Sequence, residues 1–217
     1  MRRDHLFSTD QFYHIYNRGV EKRPIFIDEG DVSRFFVSIQ DFNDEGLTGS
    51  IYENFYVKKQ AKTLGHQVSK SPLVKFISYA VNHNHYHFLL QPVIDKGIEH
   101  FMHRLDMGYS KYFNAKYKRK GTLWESKFQS KIIDSNGYLL HLSVYINLNH
   151  QAHGLGHQVS KLARTSWGEY LGDNSGTICD KSIILSQFNS PREYCEFAEA
   201  SLQDIIETKL AGRELFE

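Results

Sequence analysis

Leu73-Val-Lys-Phe-Ile-Ser-Tyr-Ala-Val-Asn-His-Asn-His-Tyr-His-Phe-Leu-Leu-Gln91 is the stretch on which the reading of the chain turns. Leu73 to Val81 and His85 to Gln91 are rich in aromatic and β-branched residues, as strands are. Asn82-His83-Asn84 between them has the short polar side chains of a tight turn. The pair predicts an antiparallel hairpin. Along its second strand alternate side chains share a face, so His85 and His87 project together while Tyr86 and Phe88 point the other way. Two imidazoles side by side on a rigid strand suit one divalent cation. His83 has the same parity, so His83 and His85 form an alternative pair. The apolar residue between 85 and 87 favours the later pair, because it anchors the strand in the core.

Upstream, Phe12 to Tyr16 predicts a strand that ends at Asn17-Arg18-Gly19. Val32, Phe35, Phe36, Ile39 and Phe42 then fall at helical spacing, with Asp28 and Asp31 near the N-terminus. From Asn43 to Pro72 the periodicity dissolves, which predicts a loop or insertion. Downstream, Ile98, Phe101, Met102, Leu105, Tyr109, Tyr112 and Phe113 form one helical stripe. Leu123 to Ile133 is a strand candidate. Asp134-Ser135-Asn136 caps a further helix from Gly137 to about Gln151.

The order strand, helix, strand, strand, helix, strand is that of a ferredoxin-like split βαβ fold. It predicts an α+β domain over residues 1–164, with an antiparallel sheet and helices on one face. Residues 165–217 hold ten acidic and four basic residues and one good helix candidate, Arg192 to Leu210, and read as an acidic C-terminal appendage.

The composition excludes little by charge, since 26 basic and 25 acidic side chains nearly cancel. Distribution matters more. From Arg104 to Lys131, eight basic residues meet two acids, Asp106 and Glu125, and aromatics are interleaved. Basic groups contact phosphates and aromatics stack on unpaired bases. Lys116, Lys118, Arg119 and Lys120 are the densest part, and Lys127 follows; Tyr109, Tyr112 and Phe113 read as core. The two cysteines, Cys179 and Cys195, match no zinc or disulfide pattern and read as reduced thiols. No apolar run is long enough for a membrane span or shaped like a signal peptide. A cytoplasmic protein is therefore expected, with no membrane partner.

On the last core helix, His141, Tyr145 and Asn149 are spaced i, i+4, i+8 and would line one face. A tyrosine can act as a covalent nucleophile if its phenolate is stabilised, its ordinary pKa being about 10. Asn149 offers a carbonyl oxygen to a cation. One motif stands apart: LGHQVSK occurs at Leu64 to Lys70 and again at Leu155 to Lys161. Both copies read as polar loop insertions, dispensable for chemistry. Their identity points to a short repetitive DNA element inserted twice in frame.

Taken together, Tyr13 to Gly19, His83 to Leu90, Tyr112 to Trp124 and Tyr145 to Asn149 resemble the REP-associated tyrosine transposases, within the HUH single-strand nuclease superfamily. His83 and His150 stand where that family has proline, and the 43–72 segment is longer than its pattern. The resemblance implies a single-tyrosine transposase that nicks and rejoins single-stranded DNA at hairpins, through a 5′-phosphotyrosine link to Tyr145. It implies Mg²⁺ or Mn²⁺ on His85 and His87, with Asn149 a candidate third ligand. DNA would be held by Arg18, Lys116, Lys118, Arg119, Lys120 and Lys127. A homodimer is left open. The alternative is a non-catalytic binder of DNA or RNA hairpins with the same fold.

Overall fold

The computed structural model describes residues 6–46, 49–63, 71–152, 161–173 and 178–210. Apart from Lys161, both LGHQVSK copies lie outside the described residues. Strand β1 (Phe12–Arg18) is followed by a 3₁₀ turn at Val20–Lys22, helix α1 (Glu29–Phe42) and helix α2 (Ile51–Thr63). Then come β2 (Val74–Asn82), β3 (His85–Pro92), α3 (Gly97–Lys116), β4 (Gln129–Ile133), α4 (Asn136–Asn147) and the short α5 (Asn149–Ala152). A two-residue strand β5 (Arg164–Thr165) precedes short helices at Trp167–Tyr170 and Ser182–Leu185 and the C-terminal helix Pro191–Leu210.

The sheet order is β4-β1-β3-β2-β5, and each neighbouring pair is antiparallel. Its first four strands have the expected split βαβ arrangement. The β2–β3 hairpin closes with Asn82 opposite His85. Gly19, which ends β1, donates its N–H to the Asn84 carbonyl at 2.8 Å. A Cβ there would stand 2.3 Å from the Arg23 carbonyl oxygen, so the close approach of these backbones requires glycine.

Alternation along the strands sorts side chains into two cores. Tyr13, Ile15, Tyr86, Phe88 and Leu90 meet Phe35, Ile39, Phe101, Leu105 and Tyr109 of α1 and α3. On the other face Leu89, Ile77 and Ala80 meet Leu142, Tyr145 and Ile146 of α4, backed by Tyr194 and Ala198. The expectation of helices on one face thus describes α1 and α3; α4 and the C-terminal helix cover the opposite face. The strand–helix order does not specify this, because α4 reaches either face from the end of β4. Tyr194 and Asn147 tie the last layer down: Asn147 Nδ2 donates to Tyr194 Oη at 2.9 Å and Ser166 Oγ donates to Asn147 Oδ1 at 2.5 Å.

Three local expectations change. The 43–72 segment contains α2, whose apolar residues form no stripe: Tyr52, Phe55, Tyr56 and Val57 are exposed and Asn54 is buried. Periodicity cannot reveal a helix that has no buried apolar face. The fourth strand is short, because Leu123 and Trp124 enter the core from an irregular segment that touches β1 by one bridge, Gly19 to Trp124. The last core helix is broken at Leu148 rather than continuous to Gln151.

Asp106 on α3 anchors the His-Tyr-His strand from below. It accepts from the Tyr86 hydroxyl at 2.8 Å and from Asn17 Nδ2 at 3.3 Å. Burial pushes its carboxyl up to about 7, against the opposing pull of those two hydrogen bonds. Between about pH 4 and 7 the folded chain keeps this proton and the unfolded chain releases it. This group therefore makes stability fall as pH rises through that window and level off above it. Asp106→Asn removes the titration. Its Tm should fall less than that of the wild type between pH 4.5 and 7.5; parallel Tm–pH curves would refute the assignment.

Candidate active site

The site lies where the end of α4 crosses the β2–β3 hairpin. Antiparallel pairing places His85 opposite both Asn82 and Arg18, and His87 opposite Ala80 and Tyr16. The His85 and His87 rings share the α4 face, with centroids 5.1 Å apart. Tyr145 packs edge-on against His87 at 5.5 Å. The break at Leu148 turns Asn149 back toward the sheet, where its Oδ1 accepts from Asn82 Nδ2 at 2.6 Å. His87, Tyr145, Asn82 and Asn149 are all buried, Tyr145 being 3% exposed.

The Asn84 amide can be oriented from its contacts. Its Nδ2 donates to the Lys22 carbonyl at 2.9 Å, which leaves Oδ1 facing His85 Nδ1 at 2.7 Å. His85 Nδ1 therefore carries the proton, and Nε2 presents a lone pair. Asn82 Nδ2 donates to that lone pair at 2.9 Å as well as to Asn149 Oδ1. One electropositive NH₂ thus sits between two electron-pair donors. The arrangement leaves Asn82 Oδ1 and Asn149 Nδ2 buried without hydrogen bonds among the described residues. Such orphans are costly.

His85, His87, Tyr145 and Asn149 are thus brought together. His141 is not among them: it is exposed and packs on Phe197 of the C-terminal helix, with ring centroids 5.4 Å apart. His83 belongs to the turn, where its carbonyl accepts from Ile25 and Phe26. Its ring lines a separate cavity of about 610 Å³ with Arg23, Phe113, Tyr117 and Arg119.

Two residues escaped the sequence reading. His14 is fully buried, with Nε2 2.9 Å from His87 Nδ1. Burial, with Lys131 adding to it, lowers its pKa to about 3. A histidine alternating with aromatics on β1 was its signal. Asn82 was read as part of the turn; its position opposite His85 becomes visible once the register is known.

The basic residues separate into two groups. Lys116 Nζ contacts Asp28 at 2.8 Å and Asp31 at 2.7 Å, pinning the end of α3 to the capping box of α1. Arg18 is paired with Glu125. Lys118, Lys120 and Lys127 are exposed. Lys127 also lines a cavity of about 940 Å³ between α3 and residues 121–128, and Arg119 lies over the Phe113 ring at 5.5 Å.

The family model of IS200-like transposases matches residues 50–149, a span that includes the paired histidines, Tyr145 and Asn149. The match covers 100 of the 217 residues, and over that span the chain is similar to this family. The solved structure titled as a REP-associated tyrosine transposase bound to a REP hairpin is similar at 13% identity and a TM-score of 0.48, covering 82% of this chain and 88% of that one. No curated protein matches. Among the described residues no helix is long and apolar enough to cross a membrane.

The division among the basic residues gives a test. Lys116→Met leaves the fully buried Asp31 carboxylate without its cation, though still hydrogen-bonded to Tyr112, Tyr117 and the Ile27 N–H, and should lower Tm. Neutralising Lys118, Lys120 and Lys127 together should leave Tm near that of wild type but flatten the dependence of DNA affinity on salt. A salt slope that responds to Lys116→Met alone would reverse the division.

Proposed function

We propose that this protein is a transposase that nicks and rejoins single-stranded DNA at hairpins, with Tyr145 as the nucleophile. What carries the reading is the convergence of His85 Nε2 and Asn149 Oδ1 on one NH₂ group, next to a tyrosine packed on His87. Two electron-pair donors, 2.9 and 2.6 Å from one electropositive group, suit a cation better than an amide that orphans its own oxygen. Among the described residues no three His, Cys, Asp or Glu side chains come together for a metal, so the third donor in this reading is the Asn149 amide oxygen. His85, His87 and Asn149 would hold Mg²⁺ or Mn²⁺. When bound, the cation supplies charge to polarise the scissile phosphate.

The chain's own residues do the rest. His85 and His87 are held by the strand, so their placement is set before DNA arrives, whereas Tyr145, on the buried face of α4, meets the phosphate once the end of α4 yields. The Tyr145 oxygen attacks phosphorus in line as its phenolic proton leaves to solvent. The bond from phosphorus to the 3′ oxygen breaks, and that oxygen departs with the electron pair and takes up a proton. The products are a 5′-phosphotyrosine and a free 3′-hydroxyl. Rejoining is the reverse attack by a 3′-hydroxyl, so the bond energy is conserved and no nucleotide cofactor is needed. Lys118, Arg119, Lys120 and Lys127 would contact the DNA backbone, with Arg18 contributing where the exposed Glu125 yields, while Lys116 stays with the buried Asp31.

A second reading, a hairpin-binding protein that does not cut, is favoured by one observation: Tyr145 is nearly inaccessible. Cleavage requires the end of α4 to yield to the substrate; binding does not. A labelled single-stranded hairpin incubated with Mn²⁺ and resolved on a denaturing gel separates the two. A boil-resistant protein–DNA adduct is expected from the wild type. Tyr145→Phe should bind DNA and form none, and His85→Ala or His87→Ala should abolish cleavage. An adduct that persists in Tyr145→Phe removes the nucleophile assignment; no adduct from the wild type leaves the binding protein.

A further inference from the structure

We infer that His14 is a positioning residue: it keeps the proton of His87 on Nδ1, so that His87 offers its Nε2 lone pair to a divalent cation. The inference rests on the reading of the site as metal-binding. His14 and His87 lie on adjacent strands one step apart on the same face, since His14 pairs with Leu89 and His87 with Tyr16. Their rings are nearly parallel, 23° apart with centroids at 5.1 Å, and the facing nitrogens are 2.9 Å apart. Two imidazoles joined by one hydrogen bond share one proton between the facing atoms, so one ring donates and the other accepts.

The neighbouring histidine indicates which way this bond runs. At His85 an acceptor, Asn84 Oδ1, holds the proton on Nδ1 and bares Nε2. For one cation to sit between the two rings, His87 must be protonated in the same sense. His14 Nε2 is then to His87 what Asn84 Oδ1 is to His85. Orientation of a ligand histidine through its second nitrogen is a general feature of metal sites. The expense of the arrangement also argues for a role. His14 is completely buried, and its Nδ1 makes no hydrogen bond among the described residues, so this polar ring spends its bonding on His87. An apolar residue would fill a strand position between α4 and the sheet at lower cost.

Long-range ¹H–¹⁵N spectra of the metal-free, full-length protein with ¹⁵N-labelled histidine read the tautomer directly. In the wild type His87 should carry its proton on Nδ1. His14→Leu should release that preference and weaken Mn²⁺ binding about 10–100-fold by calorimetry. His14→Gln, whose amide oxygen can accept the same hydrogen, should keep both close to wild type. A merely structural role would lower Tm in both variants without moving the tautomer. A wild-type His87 protonated on Nε2, or unchanged Mn²⁺ affinity in folded His14→Leu, overturns the assignment. If His14→Leu does not fold, the wild-type and His14→Gln spectra decide. Wild-type protein that has the expected tautomer but binds no Mn²⁺ overturns the metal reading and the role of His14 with it. Mn²⁺ binding with the opposite tautomer overturns the role of His14 alone.

Discussion

The two-residue alternation of β3, sandwiched between β1 and β2, is the constraint from which the rest follows. Tyr86 and Phe88 are committed to the core under α1 and α3, and the Tyr86 hydroxyl is tied to Asp106. His85 and His87 must therefore rise from the other face. A slip of one residue would bury both imidazoles among aromatics and turn Tyr86 and Phe88 onto the face beneath α4, emptying the aromatic core. That exchange is too costly to be populated. The same alternation on β1 sends Tyr13 and Ile15 into the aromatic core and leaves His14 beside His87.

The histidine face is then closed by α4, and α4 in turn depends on what lies behind it. Tyr194 of the C-terminal helix bonds to Ser143 and Asn147, and Ser166 bonds to Asn147 and to the backbone of Tyr79. Residues from 164 onward thus hold the helix that carries Tyr145. Buried polar links of this kind fix one arrangement more sharply than apolar contact alone, because each misplacement strands a donor or acceptor. The break at Leu148 completes the site by redirecting Asn149.

Charge is distributed by the fold in a way that composition hides. The basic run after α3 is continuous in sequence, yet Lys116 is engaged by the buried carboxylate of Asp31, while Lys118 and Lys120 face solvent two and four residues later. Arg18, at the end of β1, is paired with Glu125, but both side chains of that pair are exposed. An exposed cation can exchange its counterions for phosphates at small cost. A cation that neutralises a buried acid cannot do so without leaving that acid unpaired.

Sequence alone determined the two strands around the turn, the parity of His85, His87 and Tyr86, and the helices α1 and α3. Each depends on local periodicity, which is written in adjacent residues. The tertiary structure decided what needs two distant segments in contact. The face taken by α4 was invisible because β4 can lead to either side of a sheet. His14 and Asn82 were invisible as members of the site because inter-strand register, not spacing along the chain, places them against His87 and His85. Helix α2 lacked the apolar stripe by which helices announce themselves. His141, one turn before Tyr145 on α4, lies instead against Phe197 of the C-terminal helix.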